Sequence, residues 1–346
     1  MPELSPTDDP LERAPLCALV GPTACGKTAL ALEACDRAGA EVLSMDSMLV
    51  YRGLDVGTAK PTIEEQARVP HHLIDLVEVG EVFDASRWLA EARDAVDDCL
   101  TRGRRPLFVG GTGFYLAALL KGLFEGPSPD PAIREPLEQR GREDPEGLHR
   151  ELQEVDPDSA ARLHANDVRR VVRALEVLEQ TGRTLSSWQD QWSAPPARAR
   201  RARLVGLEVE TERLDQHIRQ RAVRMLEEGW VAEAERARTR GLARGAAQAL
   251  GYAEVLDLAD GVITEEQALD AIALRTRQFA RRQRTWYRKF AIEWLPAGDQ
   301  DLLARAGSLG LGPGGLERAL NSRRGAVRAA PYRSPPSGHW AERSQR

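Results

Sequence analysis

One run of eight residues, Gly21-Pro22-Thr23-Ala24-Cys25-Gly26-Lys27-Thr28, constrains the fold of this chain more than any other feature. It follows the apolar segment Leu16 to Val20 and opens a segment, Thr28 to Arg37, whose apolar residues recur at three- and four-residue intervals. The pattern G-x-x-x-x-G-K-T between a strand and a helix is a phosphate cradle. Its glycines let the chain turn backbone N–H groups onto phosphate oxygens, and the helix N-terminus adds a favourable field for an anion. Lys27 supplies a point charge, and it stands out because only four of the 48 basic residues are Lys. The Thr28 hydroxyl is suited to a Mg²⁺ that bridges diphosphate oxygens, so Mg²⁺ is the expected cofactor. The expected diphosphate-binding set is Gly21, Thr23, Ala24, Cys25, Gly26, Lys27 and Thr28, with Thr28 also the metal contact.

A loop of this kind needs a parallel sheet around it. Apolar runs bounded by turn signals, Leu16 to Val20, Glu41 to Ser44, Leu107 to Val109, Leu204 to Val209 and Ile292 to Leu295, read as buried parallel strands. Helical patterns such as Ser86 to Thr101 separate them, which predicts an α/β fold with a P-loop NTPase-like doubly wound parallel sheet. Between Pro127 and about Arg200 the apolar periods are helical throughout, as in Val168, Val171, Val172, Leu175 and Leu178, so an all-helical insertion domain is expected there. Helical patterns resume in Arg213 to Glu228, Val231 to Arg240 and Glu265 to Lys289. The organisation expected is a flexible N-terminus over 1–14, a core built from 15–126 and 201–296, the insertion over 127–200, and a disordered tail over 297–346 rich in Gly, Arg, Pro and Ser.

No stretch approaches the ~18 consecutive apolar residues of a membrane span, and the first residues lack the basic and apolar regions of a secretory signal. Cys17, Cys25, Cys35 and Cys99 show no zinc-binding spacing, which fits a reduced compartment. A cytoplasmic protein is expected. The net charge of −5 argues against a chain that is basic all over, yet its arginines cluster in 169–173 and 275–289.

The phosphate loop does not name a reaction. Kinases and other NTPases carry a second apolar strand ending in a metal-binding Asp, whereas Leu107 to Val109 runs into Gly110, Gly111, Thr112 and Gly113. That counts against ATP hydrolysis but leaves a small-molecule or nucleoside kinase as an alternative. Asp46, just past the Glu41 to Ser44 strand, lies where α/β sheets place ligands, although a turn cap explains its position equally well.

Read together, GPTACGKT, MDSMLVYRGLDVGTAKP, VPHHLID, PLFVGGTGFYLAALLKGL, HANDVRRVVRALEV, LGYAE and TRQFARRQRTWYRKF resemble, in order, the bacterial tRNA dimethylallyltransferase family. The matches run from about Leu16 to Trp294. The resemblance implies transfer of the dimethylallyl group of dimethylallyl diphosphate to N6 of the adenosine 3′ of the anticodon, tRNA position 37, with release of diphosphate. By motif, Asp46 is similar to the family's general base, Thr112 to a hydroxyl near the diphosphate and Arg134 to a basic residue beside it. The segments that match tRNA contacts hold Asp46, Ser47, Met48, Leu49, Arg169, Arg170, Arg173, Gln248, Gly251, Tyr252, Arg277, Arg281, Arg282, Gln283, Thr285, Trp286 and Arg288. The implied partners are the anticodon stem-loop of tRNA and dimethylallyl diphosphate, with no membrane and a monomeric enzyme. The chain departs from the family's usual residues at Cys25, often Ser, at Ala253, often Lys or Arg, and at Arg281, often Lys.

In the 275–289 segment Phe279, Trp286 and Tyr287 alternate with arginines, a composition that suits both loop RNA and an ordinary amphipathic helix. The resemblance favours RNA. His71 and His72 face different ways along the chain and have no evident third ligand, so a structural role is expected. Trp188 and Trp192 are expected to anchor the insertion's core.

Overall fold

The structure, a computed structural model, describes residues 9–13, 16–123, 126–189 and 197–298. Six strands, β1 Cys17–Val20, β2 Ala40–Ser44, β3 His71–His72, β4 Arg105–Gly110, β5 Arg203–Glu208 and β6 Glu293–Pro296, form one sheet in the order β3-β2-β4-β1-β5-β6. Every pairing is parallel. Five of these are the strands predicted from apolar runs. The sixth, β3, has no apolar run to announce it, and exists only because His71 and His72 pair with Val42 and Leu43.

Alternation along each strand divides the core. Ala18 and Val20 of β1 join Leu43 and Phe108 under Trp88 of helix Ala85–Thr101 and Leu116 of helix Gly113–Lys121. Cys17 and Leu19 face the other way, with Val42, Leu107 and Val205, toward Leu30 of helix Lys27–Ala38, Ile218 of helix Thr211–Glu227 and Ala280 of helix Glu265–Tyr287. Because successive side chains point to opposite faces, a strand apolar at every position must be covered on both sides, and this sheet is.

Between β4 and β5 lie helices Pro131–Glu143, Pro145–Val155, Pro157–Ala160 and Val168–Thr181, gathered around a separate apolar cluster that includes Leu137, Leu152, Val171 and Leu175. The first three open alike: Asp130, Asp144 and Asp156 each cap with a carboxylate oxygen, and a proline takes the first helical position. Trp188 is half-buried beneath the Arg183 guanidinium, 4.2 Å away, and takes no place in that cluster. Trp192 lies outside the described residues, as do residues 1–8 and 299–346.

Part of the stretch expected to be a flexible lead is packed. Pro10–Arg13 form a short helix whose Leu11 is buried, and the buried Arg198 guanidinium lies 3.4 Å from Asp9 and 3.9 Å from Glu12. The N-terminal segment brings these carboxylates to the buried arginine. No helix among the described residues is long and apolar enough to cross a membrane.

Candidate active site

The C-terminal ends of β1, β2 and β4 open onto two adjoining cavities of about 580 and 270 Å³. This is the position at which doubly wound sheets bind ligands. The larger holds Lys27 and Thr28 from the phosphate loop, Ser44 and Asp46 from the end of β2, and Gly110 and Gly111 from the end of β4. The smaller is walled by Met48, Ile218, Met225, Trp230, Leu250 and Ile272. Asp46, Thr23, Thr58, Arg221 and Phe279 line both, so Asp46 and Arg221 stand at the junction of the cavity that borders the 21–28 loop and a more apolar one.

The loops are locked together by backbone contacts. Lys27 Nζ donates to the Gly21 and Pro22 carbonyls at 2.8 and 2.7 Å, with Cys25 Sγ at 3.7 Å. Gln283 accepts from the Thr23 amide (2.9 Å) and donates to the Gly111 carbonyl (2.9 Å), joining helix Glu265–Tyr287 to two strand ends. The buried Tyr287 hydroxyl is 3.3 Å from the Gly21 carbonyl and 3.4 Å from that of Gly110. Gly110, at the end of β4, is required by this crowding, since a Cβ there would meet the Met45 carbonyl oxygen at 2.3 Å, and a Cβ on Gly111 would displace the Gln283 amide nitrogen, 2.1 Å away. The missing acid at the end of that strand thus has a packing reason.

Asp46 answers to both of its sequence readings. Its Oδ1 accepts from the Met48 amide at 2.9 Å, capping its own turn, while the carboxylate also borders both cavities. Thr112 lines neither cavity. Its hydroxyl oxygen accepts from the Ser47 amide (3.1 Å) and its own amide donates to the Met45 carbonyl (3.1 Å), so it fixes the turn that carries Asp46. Arg134 is also absent from both linings. The buried Glu176 holds it at 2.6 Å, together with Arg173 at 2.8 Å and the Asp130 amide at 2.9 Å, inside the helical insertion.

Among the residues expected to touch RNA, Leu49 and Gln283 border the larger cavity, and Ser47, Met48, Gln248 and Arg282 the smaller. Gln283 is buried and fully engaged in the loop contacts above. Gly251 and Tyr252 are packed inward against Trp230. Arg277, Arg281, Thr285 and Arg288 are exposed and line neither cavity, as are Arg169 and Arg170 on helix Val168–Thr181. Trp286 lies under the Lys289 ammonium at 4.0 Å and edge-on to exposed Phe114. Burial and the nearby Arg170 and Lys121 charges push Lys289 below the ordinary lysine range, so the insertion and the long helix present positive charge to one another.

Sequence reasoning missed Arg221. It lies deep in the junction, its guanidinium 3.4 Å from Thr23 Oγ1 and 3.3 Å from the Thr58 carbonyl, and no carboxylate pairs with it among the described residues. Burial pushes it below the ordinary arginine value, opposed by the field of Asp46. The signal was present: Leu214, Ile218, Arg221 and Met225 recur at intervals of four, three and four, which places an arginine on the apolar stripe of its helix.

The two histidines are structural in the main. His72 Nε2 and Cys99 Sγ lie 2.7 and 3.5 Å from Glu41 Oε2, and the three possible ligand atoms fall within 4.8 Å of one another. Arg102 already occupies both Glu41 oxygens at 2.6 and 2.7 Å, and burial with the adjacent carboxylate pushes the Cys99 thiol up to about 12, so a hydrogen-bonded cluster accounts for these groups. His71 borders the larger cavity with Nδ1 2.7 Å from the Val69 carbonyl.

Fold and site together define an α/β protein with a P-loop-like fold, in which a cavity bordered by the 21–28 loop adjoins a more apolar one. The sequence pattern of the IPP transferase family matches residues 49–290. The chain is 44% identical over 292 residues to a tRNA dimethylallyltransferase of Salinispora tropica, covering 83% of this chain and 90% of that one. It is 43% identical over 300 residues to one of Methylococcus capsulatus, covering 85% and 96%. Among solved structures it is similar to the tRNA isopentenylpyrophosphate transferase of Bacillus halodurans (TM-score 0.63, 35% identity, 90% of this chain and 99% of that one). It is also similar to a eukaryotic dimethylallyltransferase acting on tRNA (TM-score 0.70, 26% identity, 89% and 84%). The chain belongs to the IPP transferase family. These names agree with the transferase expectation and not with the kinase alternative.

Proposed function

We propose that the chain transfers the dimethylallyl group of dimethylallyl diphosphate to the exocyclic N6 of the adenosine 3′ of the anticodon of tRNA. The observation that carries this reading is the junction itself, where Asp46 and Arg221 stand between the phosphate loop and an apolar chamber. The diphosphate belongs against the loop amides, Lys27 and Arg221, and the flipped adenine and the allyl group belong at the apolar junction with Phe279.

An exocyclic adenine amine is a weak nucleophile because its lone pair is delocalised into the ring. In the transfer, the N6–C bond forms as the allylic C–O bond breaks, the bonding pair leaves with diphosphate, and the N6 proton passes to the Asp46 carboxylate. Lys27 and Arg221 stabilise charge as it builds on the leaving group. Thr112 serves by holding the turn that carries Asp46. Thr28, Ser44 and Asp46 offer oxygen donors to one cavity, which suits a hard cation such as Mg²⁺. When bound, the cation supplies Lewis-acid charge to the diphosphate. Exposed Arg169, Arg170, Arg277, Arg281 and Arg288 give phosphate contacts on the outside of the site.

The test is incubation of the full chain with dimethylallyl diphosphate, Mg²⁺ and unmodified tRNA, followed by nucleoside digestion and mass measurement. A dimethylallyl mass increment on adenosine and one diphosphate released per transfer are expected. Diphosphate release without modified adenosine, or tRNA-independent ATP turnover, overturns the reading.

A further inference from the structure

The segment Asp55-Val56-Gly57-Thr58-Ala59-Lys60-Pro61 lends Gly57, Thr58, Ala59 and Pro61 to the cavity walls. What holds it in place is a carboxylate remote in sequence. Glu233, on helix Trp230–Arg240, is 2% exposed. Its Oε2 accepts from the Asp55 and Val56 amides at 2.7 and 2.8 Å, and its Oε1 from the Gly57 amide at 2.9 Å and the Tyr252 hydroxyl at 2.6 Å. No cation pairs with it among the described residues. A buried carboxylate without a counter-ion is costly unless hydrogen bonds replace its water, and here three consecutive amides and a phenol do so. The loop shape and the buried charge therefore require each other.

The surrounding packing leaves the loop little freedom. Trp230, one turn before Glu233, is wedged between the two glycine-bearing loops. A Cβ on Gly57 would fall 2.0 Å from its Nε1, and one on Gly251 2.2 Å from its ring. At the other end of the segment Lys60, with a side chain 4% exposed, donates to the Tyr51 carbonyl at 2.8 Å and to Asp55 and Asp75 at 2.6 Å each. Thr58 lies between these two anchors, and its carbonyl and the Thr23 hydroxyl are the two groups among the described residues within hydrogen-bonding distance of the Arg221 guanidinium. Among the described residues no carboxylate pairs with Arg221, so the Thr58 carbonyl and the Thr23 hydroxyl are the groups that set where its charge points.

We propose that Glu233 is a positioning residue for the diphosphate site: it fixes the 55–58 loop so that the Thr58 carbonyl aims Arg221 at the chamber shared with Asp46. This rests on the reading of that chamber as the diphosphate site. Glu233→Gln replaces an acceptor oxygen with an NH₂ that faces loop N–H groups, displacing the loop while preserving volume.

The experiment is a double-mutant cycle in the full chain, Glu233→Gln against Arg221→Ala, read by calorimetric affinity for inorganic diphosphate with Mg²⁺ and by single-turnover transfer to tRNA. In the parent background Glu233→Gln should weaken diphosphate binding and slow transfer about 10- to 100-fold, the scale on which small misplacements act. In the Arg221→Ala background the same change should cost less than about twofold, because its target is gone. Affinity for tRNA should stay within about twofold in every variant, a measurement that a general loosening of the fold would move. Equal fold-losses in both backgrounds, or no loss in the parent, overturn the proposal. If Glu233→Gln does not fold by circular dichroism, Tyr252→Phe enters the cycle instead; losing one neutral hydrogen bond should cost about two- to tenfold, again only where Arg221 is present. A parent chain that binds diphosphate but modifies no tRNA breaks the functional reading while the binding cycle still decides the role of Glu233.

Discussion

Strand β2 carries a carboxylate at each end, and the two have opposite fates. Glu41, near the start, is nearly inaccessible and saturated: Arg102 takes both oxygens, with His72 and Cys99 adding further contacts. These partners, the Arg102 guanidinium first, hold its carboxyl down to about 2 against the opposing effect of burial. Asp46, just past the other end, keeps the Met48 amide and faces two cavities beside Arg221, which no carboxylate pairs among the described residues. A carboxylate whose lone pairs are all committed can only stabilise a structure. One with acceptor capacity left over, at the C-terminal edge of a parallel sheet, can take a proton. The contrast predicts which residue carries activity and which carries stability.

The largest expected effect lies at Asp46. Asp46→Asn retains shape but cannot accept the N6 proton, so single-turnover transfer at saturating donor should fall about 10²- to 10⁴-fold while both substrates still bind. The unfolding midpoint should shift by no more than the ~1 kcal/mol typical of a weakened cap. Near-parental transfer in folded Asp46→Asn would break the contrast from its functional side. A loss of donor affinity partly restored by extra Mg²⁺ would sharpen it differently, making the carboxylate a metal contact first.

Lys27→Ala comes next in size. It removes the ammonium that lines the larger cavity and holds the Gly21 and Pro22 carbonyls, and a charge-assisted contact to a phosphate oxygen is worth about 1.5–3 kcal/mol. Calorimetry should therefore show diphosphate affinity reduced about 10- to 100-fold with tRNA affinity nearly kept. Unchanged donor affinity would place the diphosphate elsewhere and strip Asp46 of its neighbour in the reaction.

How far such roles can be read in advance depends on whether they arise locally. The phosphate loop is specified by residues 21–28 and the elements that flank them, so Lys27 and Thr28 were found from eight letters, and five strands from their apolar runs. Glu233 and Arg221 act across 176 and 163 positions, on Gly57 and Thr58 respectively, and no local pattern records those pairings. Arg221 did leave a trace as a charge on an apolar stripe. The first residues misled in the opposite direction: Pro10–Arg13 read as a polar lead because the partner that packs them, Arg198, comes 189 positions after Asp9, near the end of the insertion. Arg134 matched a family motif, yet its position follows from Glu176, a glutamate on the buried side of helix Val168–Thr181.

The smallest expected effect, and the one that tests the structural end of the strand, concerns acid. Glu41 is held at about 2 in the folded chain against an ordinary value near 4.5. Its depressed value means that the ionised form is favoured by folding. The stabilisation is present in full above the ordinary carboxylate range and is lost as pH falls from about 4.5 toward 2. The shift corresponds to at most ~3 kcal/mol, and because Arg102 is 41% exposed, solvent screening brings the figure closer to 1. Glu41→Gln should therefore lower stability by about 1–3 kcal/mol near neutral pH, and the gap between variant and parent should close as the parent's own carboxyl protonates. Denaturant midpoints of the two proteins across the acid range measure this, alongside transfer rates near neutrality in the folded variant, which should match the parent. A gap that persists unchanged at low pH would mean that shape, not charge, is what Glu41 contributes. A variant of undiminished stability that transfers no allyl group would reverse the assignment of the two ends of β2.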